Sequence, residues 1–197
     1  YFSQEKVKYN KNDDEELEDY TREDFNTVNV KIVDFGNAEI EGDLNQEVIS
    51  LRIYRPPENL MSSYYNTKTD IWTLGCIAYE FFTNEPLFEI KRLRSSIERD
   101  RCHLSQMFKY LGKMPKSLSV NCEFSKDLFD HKGRILKNKD IEEEDIKDIL
   151  KEMDYSDDDC FLIESLLREF LEYDLRIRKG GNQILNHLFF KNLAKLN

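Results

Sequence analysis

The spacing of apolar positions changes several times along the chain, and each change marks an element. Val28, Val30 and Ile32 alternate with Asn29 and Lys31, the period of two that predicts a β-strand. This strand runs directly into Asp34-Phe35-Gly36. Residues 71–82, Ile-Trp-Thr-Leu-Gly-Cys-Ile-Ala-Tyr-Glu-Phe-Phe, are apolar nearly all round, which predicts a helix buried on every side at the centre of a domain. Thr67-Lys68-Thr69-Asp70 stands before it as a capping box, in which the Thr67 hydroxyl and the Asp70 carboxylate satisfy amides of the first turn. Helical spacing also predicts elements over 103–111, stopped by Gly112 and Pro115, over 141–153, and over 159–173 with the stripe Phe161, Leu162, Leu166, Phe170 and Leu171. A last helix carries Ile184, Leu185, Leu188 and Phe189. The fold class that follows is mainly α, with one short strand before Asp34.

From 10 to 24 the periodicity disappears into NKNDDEELEDYTRED, an acidic block with too few apolar groups to offset the entropy of ordering it. Residues 1–26 are therefore expected to be a disordered linker, a solvated acidic helix face being the alternative, and 27–197 to form the folded part. The 197 residues and 40% apolar content suffice for one core. The first residue is Tyr1, which leads to the expectation of a processed or trimmed chain or a fragment of a longer reading frame. No apolar run approaches the roughly 20 residues that span a bilayer, and the start, Tyr1-Phe2-Ser3-Gln4-Glu5, has no basic region before an apolar one. The expectation is a soluble protein of the cytoplasm or nucleus, not bound to membrane. A net charge of -10 disfavours nucleic acid and favours basic partners. Cys76, Cys102, Cys122 and Cys160 are widely spaced, without a Cys-x-x-Cys pair, so reduced structural thiols are expected rather than zinc or disulfides. His103, His131 and His187 have no ligand or triad partner at useful spacing, and packing or surface roles are expected for them.

Asp34-Phe35-Gly36 alone says little. Behind it come Tyr54-Arg55-Pro56-Pro57-Glu58, then Asp70-x-Trp72-x-x-Gly75, Asp174-x-x-x-Arg178 and Leu185-x-His187. In order and spacing this set resembles the C-terminal lobe of eukaryotic protein kinases over roughly residues 26–195. The resemblance implies a serine/threonine kinase that transfers the γ-phosphoryl group of ATP, with Mg2+, to protein serines. It implies that Asp34 chelates the magnesium bridging the phosphates, that Phe35 packs to set active or inactive states, and that Gly36 lends the backbone freedom for that switch. It implies a substrate-binding loop over 49–58, including Leu51, Arg52, Tyr54 and Arg55. It also implies a buried ion pair between Glu58 and Arg178, and a role for Asp70 in holding the catalytic-loop backbone from below. The catalytic-loop aspartate itself is expected upstream, and no catalytic residue is assigned within this chain.

Several stretches resemble the SR-protein kinases, which phosphorylate serines in Arg/Ser-rich segments of splicing factors: 31–38, Tyr65-Asn66-Thr67 before Asp70-Ile71-Trp72, Pro86-Leu87-Phe88-Glu89, and above all Leu111-Gly112-Lys113-Met114-Pro115 with 124–129 and Lys132-Gly133. That family carries a long polar spacer before its magnesium motif, which the acidic segment resembles. Substrate docking is then expected at Glu85 and Asp100, with Glu98 a further candidate and Lys109 adding an opposing charge to the same surface. There are departures. Phe35 stands where this family usually has Leu and matches kinases generally, including the neighbouring dual-specificity group. Cys102 and Lys109 fall where the docking groove tends to be acidic. Leu51 stands where kinases have a threonine that bonds the catalytic aspartate. Leu51 also keeps open a second expectation, a catalytically inactive kinase-like scaffold, beside a third, a truncated gene product.

Overall fold

The computed structural model describes residues 30–40, 50–62, 64–137 and 141–193. The chain divides into two compact units, 1–38 and 39–197. The expected linker over 1–26 lies outside the described residues, as do Val28 and Asn29 of the expected strand.

In the first unit, 30–34 carry no strand. Val30, Ile32 and Val33 are 88%, 83% and 74% exposed, so the alternation has no face to bury. A strand is defined by its pairing, and among the described residues the one β-pairing is an isolated bridge between Phe129 and Ile135 in the other unit. The predicted strand is thus corrected to an unpaired segment. It ends at Asp34, whose backbone is left-handed at φ 64 and ψ 62. A single 3-10 turn, Phe35–Asn37, follows and is closed by the Ala38 amide donating to the Phe35 carbonyl at 3.0 Å.

The α-helices among the described residues of the second unit are α1 (Glu58–Met61), α2 (Lys68–Thr83), α3 (Ser96–Leu111), α4 (Lys116–Asn121), α5 (Ser125–Leu128), α6 (Ile146–Glu152), α7 (Asp157–Phe170), α8 (Gly181–Ile184) and α9 (Leu188–Leu193). At the centre is α2, packed on α6 and α7. Gly75 makes the crossing with α7 possible, because a Cβ there would lie 2.6 Å from Phe170 Cβ and 2.9 Å from Leu171 Cδ2. Around α2 the aromatic rings form a connected core. Trp72 stacks with Phe88 at 6.2 Å and meets Tyr173 at 6.1 Å, and Tyr173 meets Phe108 edge-on at 6.4 Å. The four cysteines are free thiols.

Several boundaries differ from the periodicity, for local reasons. The first turn of α2 is capped from Asn66, whose Oδ1 accepts from the Lys68 amide at 2.9 Å. Thr67 makes no side-chain cap, which corrects the expected capping box. One face of α2 is not buried. Leu74 is 50% and Phe81 83% exposed, and seven residues apart they lie on the same side of the helix. Helix α3 starts at Ser96, well before the expected 103, because its polar opening turns continue the phase of Leu104, Met107 and Phe108. Asp145 caps α6 through the Lys147 amide at 2.9 Å and shortens it to Ile146–Glu152. Ser156 caps α7 through the Asp159 amide at 3.2 Å. That phase buries Cys160, Ile163, Leu166, Leu167 and Phe170 and leaves Phe161 outside, 63% exposed beneath the Lys147 ammonium. The last predicted helix is broken into α8 and α9, with Leu185 and Leu188 exposed.

His103 is fully buried on α3, edge-on to Phe88 at 5.1 Å, and neither ring nitrogen has a hydrogen-bond partner among the described residues. Burial, reinforced by the charges of Arg52 and Arg55, lowers its pKa from 6.5 to about 3. The unfolded chain takes up this proton near 6.5 and the folded chain only near 3, so stability present at neutral pH is lost as pH falls through that window. At pH 5 the loss is expected to reach about 2 kcal/mol. In His103→Phe, which keeps the edge-on packing, the thermal midpoint should fall less between pH 7 and 5 than in the native chain. Equal acid sensitivity would contradict the assignment.

Candidate functional site

The loop entering α1 is held from three sides. Pro56 and Pro57 preset the backbone for the helix start, and Glu58 follows as its first residue, buried. The Glu58 carboxylate meets Arg178, a fully buried side chain 120 residues away in sequence. Nη1 donates to Oε1 at 2.7 Å and Nη2 to Oε2 at 2.8 Å, a bidentate pair. Two further guanidinium donors are met: Nε donates to the Glu172 carbonyl at 2.8 Å and Nη1 to the Lys68 carbonyl at 3.1 Å. The Thr69 hydroxyl donates to Glu58 Oε1 at 2.9 Å, and the guanidinium lies over the Trp72 ring at 5.1 Å. One buried group thus joins α1, the start of α2 and the segment after α7. The sequence motif contains both charged halves of it. Thr69 and the Trp72 stack were not read from the sequence, although Thr69 lies in the same short motif as Asp70.

Upstream of Pro56, the 3-10 turn Arg52–Tyr54 rests on α2. Tyr54 donates its hydroxyl to Glu80 Oε2 at 2.9 Å, and the Thr73 hydroxyl donates to the Tyr54 carbonyl at 3.3 Å. Burial, then the Glu80 carboxylate, raises the Tyr54 pKa. Arg52 pairs with Asp100 on α3 at 2.7 Å. Arg55 donates from Nε to the Ser50 carbonyl at 3.1 Å. Burial and the neighbouring Arg52 hold the Arg55 guanidinium below its ordinary pKa. Leu51 is 72% exposed at the outer edge of the loop.

The expected docking acids do not behave alike. Glu85 is exposed beyond the end of α2, whereas Asp100 is taken up by Arg52. Lys109 is not on the surface of Asp100. Nine residues along α3, at 3.6 residues per turn, it projects from the opposite side, pairs with Glu144 and donates to the Tyr110 hydroxyl at 3.1 Å. The opposing charge expected of Lys109 is therefore corrected. Asp70 sits exposed in the first turn of α2 with no hydrogen-bond partner among the described residues, its carboxyl raised by desolvation. In the first unit, Phe35 is 66% exposed. A Cβ at Gly36 would meet only Asp34 Oδ1, at an ordinary 3.5 Å, so this conformation does not itself require glycine.

One pair imitates a catalytic dyad. Ser165 Oγ and His187 Nε2 are 2.7 Å apart, but the Phe189 amide donates to His187 Nδ1 at 3.2 Å. Nδ1 is thus the acceptor and Nε2 carries the hydrogen, which it donates to Ser165, so the ring cannot take the serine's proton there. The contact ties α7 to the start of α9.

The sequence matches the protein kinase domain over residues 21–190. The chain belongs to the protein kinase family. Its relatives include serine/threonine-protein kinase SKY1 of Saccharomyces cerevisiae, 29% identical over 168 residues, covering 85% of this chain and 22% of that protein. Serine/threonine-protein kinase spk-1 of Caenorhabditis elegans is 30% identical over 163 residues, 82% of this chain and 16% of that protein. Dual specificity protein kinase lkh1 of Schizosaccharomyces pombe is 27% identical over 179 residues, 87% of this chain and 25% of that protein. The kinase chain thus spans a quarter or less of the length of these relatives. The helical second unit is what a kinase C-terminal lobe requires. The likeness to SR-protein kinases drawn from residues 111–115, 124–129 and 132–133 stands beside serine/threonine kinases among the relatives.

Proposed function

We propose that the chain is the substrate-binding part of a serine/threonine protein kinase that transfers the γ-phosphoryl group of ATP to protein serines, particularly in Arg/Ser-rich segments. The observation that carries this is the bidentate Glu58–Arg178 pair, 2.7 and 2.8 Å, which anchors the loop bearing Leu51, Arg52, Tyr54 and Arg55 to the helical lobe. Phosphoryl transfer depends on positioning, and an anchored loop is what holds an incoming serine in place. Glu85 and Glu98 are exposed and without ion-pair partners among the described residues, which supports them as contacts for arginines flanking that serine.

Asp34 is the residue that would hold Mg2+. Its carboxylate is the hard oxygen donor the ion takes, and its left-handed backbone, φ 64, is a conformation uncommon outside glycine and characteristic of functional positions. Among the described residues no three His, Cys, Asp or Glu side chains cluster, so Asp34 would be one ligand, the others being phosphate oxygens and water. The bound ion supplies neutralisation of phosphate charge. The proposed location is the cytoplasm or nucleus; no helix among the described residues is long and apolar enough to cross a membrane.

The second reading, an inactive scaffold, rests on Leu51, which cannot make the hydrogen bond a threonine would make. Both readings expect the isolated chain to be inert, because one carboxylate without a phosphate-covering loop, a strand lysine and a catalytic aspartate gives ATP half a site. Purified chain incubated with labelled ATP, Mg2+ and a serine-rich basic peptide should transfer no label. Transfer that disappears in Asp34→Ala would place the whole machinery within this chain and contradict the proposal.

A further inference from the structure

Between α2 and α3 the chain reads Lys91-Arg92-Leu93-Arg94-Ser95-Ser96, and 91–94 are exposed without regular structure. Ser95 is the cap residue of α3, extended at φ -88 and ψ 138, yet its hydroxyl caps no amide. It is thus a half-buried serine in a bend, with arginine one and three positions before it. One turn into the helix, the Arg99 amide donates to the Ser95 carbonyl at 3.2 Å. Helical side chains lean toward the N-terminus, which carries the Arg99 side chain toward Ser95. The Arg99 Nε has no acceptor among the described residues.

We propose that Ser95 is a phosphorylation site for an arginine-directed serine kinase. In the modifying reaction the Ser95 Oγ attacks the γ-phosphorus of ATP. The Oγ–P bond forms as the bond to the β–γ bridging oxygen breaks, ADP leaves with that electron pair, and the hydroxyl proton passes to the modifying kinase's base. Arg92 and Arg94 are the recognition elements, exposed and accessible to an acidic substrate groove. The product phosphate supplies the acceptor that the Arg99 Nε lacks and places negative charge at the start of a 16-residue helix, where free amides and the helix dipole favour it. Glu98, in the first turn, and Asp100, already paired with Arg52, oppose it, so the gain is a net one over these two carboxylates. The site lies beside the Arg52–Asp100 contact that holds the substrate loop, which makes it a control point on that loop whether or not the chain supports catalysis.

The test treats the full chain with a purified kinase that selects serines behind arginine at the third preceding position, with labelled ATP, and maps the product by mass spectrometry. One phosphate on Ser95 is expected, absent in Ser95→Ala and retained in Ser96→Ala. Arg92→Ala, an exposed change that leaves the fold alone, should slow incorporation about tenfold. The phosphorylated chain should melt about 2–4 °C higher than the unmodified one. Label on Ser96 or elsewhere, label retained by Ser95→Ala, rates indifferent to Arg92, or a lower midpoint after modification would each overturn the proposal.

Discussion

Arg178→Ala is expected to destabilise the second unit by about 3–5 kcal/mol, the cost of leaving a buried charge without its counter-charge. Arg178 is fully buried and Glu58 is 7% exposed. Removing the guanidinium strands the Glu58 carboxylate with only the Thr69 hydroxyl, and it takes a donor from the carbonyls of Glu172 and Lys68. Glu58→Ala should cost a similar amount by stranding Arg178. The double variant should cost clearly less than the two together, because each single change creates the penalty the other removes. Urea unfolding of the four proteins measures this. Single-variant losses of about 1 kcal/mol or less, the range of exposed ion pairs, would show that the pair is not what ties the loop to the lobe.

Trp72→Ala is expected to cost about 3–5 kcal/mol by opening a large cavity. The ring is fully buried, with Phe88 and Tyr173 centred 6.2 and 6.1 Å away and the Arg178 guanidinium 5.1 Å above it. Its loss therefore weakens the aromatic core and the support of the ion pair together. Phe81→Ala, on the same helix, should be nearly neutral because that side chain is 83% exposed. Thermal unfolding of the two variants side by side separates the outcomes, and comparable losses would mean that the exposed face of α2 is covered in solution.

That contrast marks where sequence reading works and where it stops. Trp72 and Phe81 are indistinguishable as apolar letters in one helix, and only packing tells which faces the core. The same holds for Phe161, which periodicity placed in the stripe and the cap at Ser156 turned outward. Glu58 and Arg178 were legible as a pair through the kinase resemblance of the two motifs that carry them, and the cost of an unpaired buried charge agrees with it. Thr69 and Trp72 completed that cluster without a signal, since hydroxyls and rings have many uses. Lys109 was misplaced because distance along a helix says nothing about side until the helix start is known, and α3 begins earlier than its apolar residues imply. The alternation at Val30 and Ile32 failed as a strand because pairing is a property of two segments.

The central proposal is that Asp34 is a magnesium ligand and, separately, that the loop anchored by Glu58 binds substrate in a kinase. The most direct measurement joins this chain to the upstream kinase portion of SKY1 and follows label transfer from ATP to a serine peptide, with Leu51 native and with Leu51→Thr. The account predicts transfer by the Leu51→Thr chimera, abolished by Asp34→Ala; transfer with native Leu51 would select the active enzyme over the scaffold. A folded Leu51→Thr chimera that transfers nothing, or one that transfers equally well after Asp34→Ala, would contradict it.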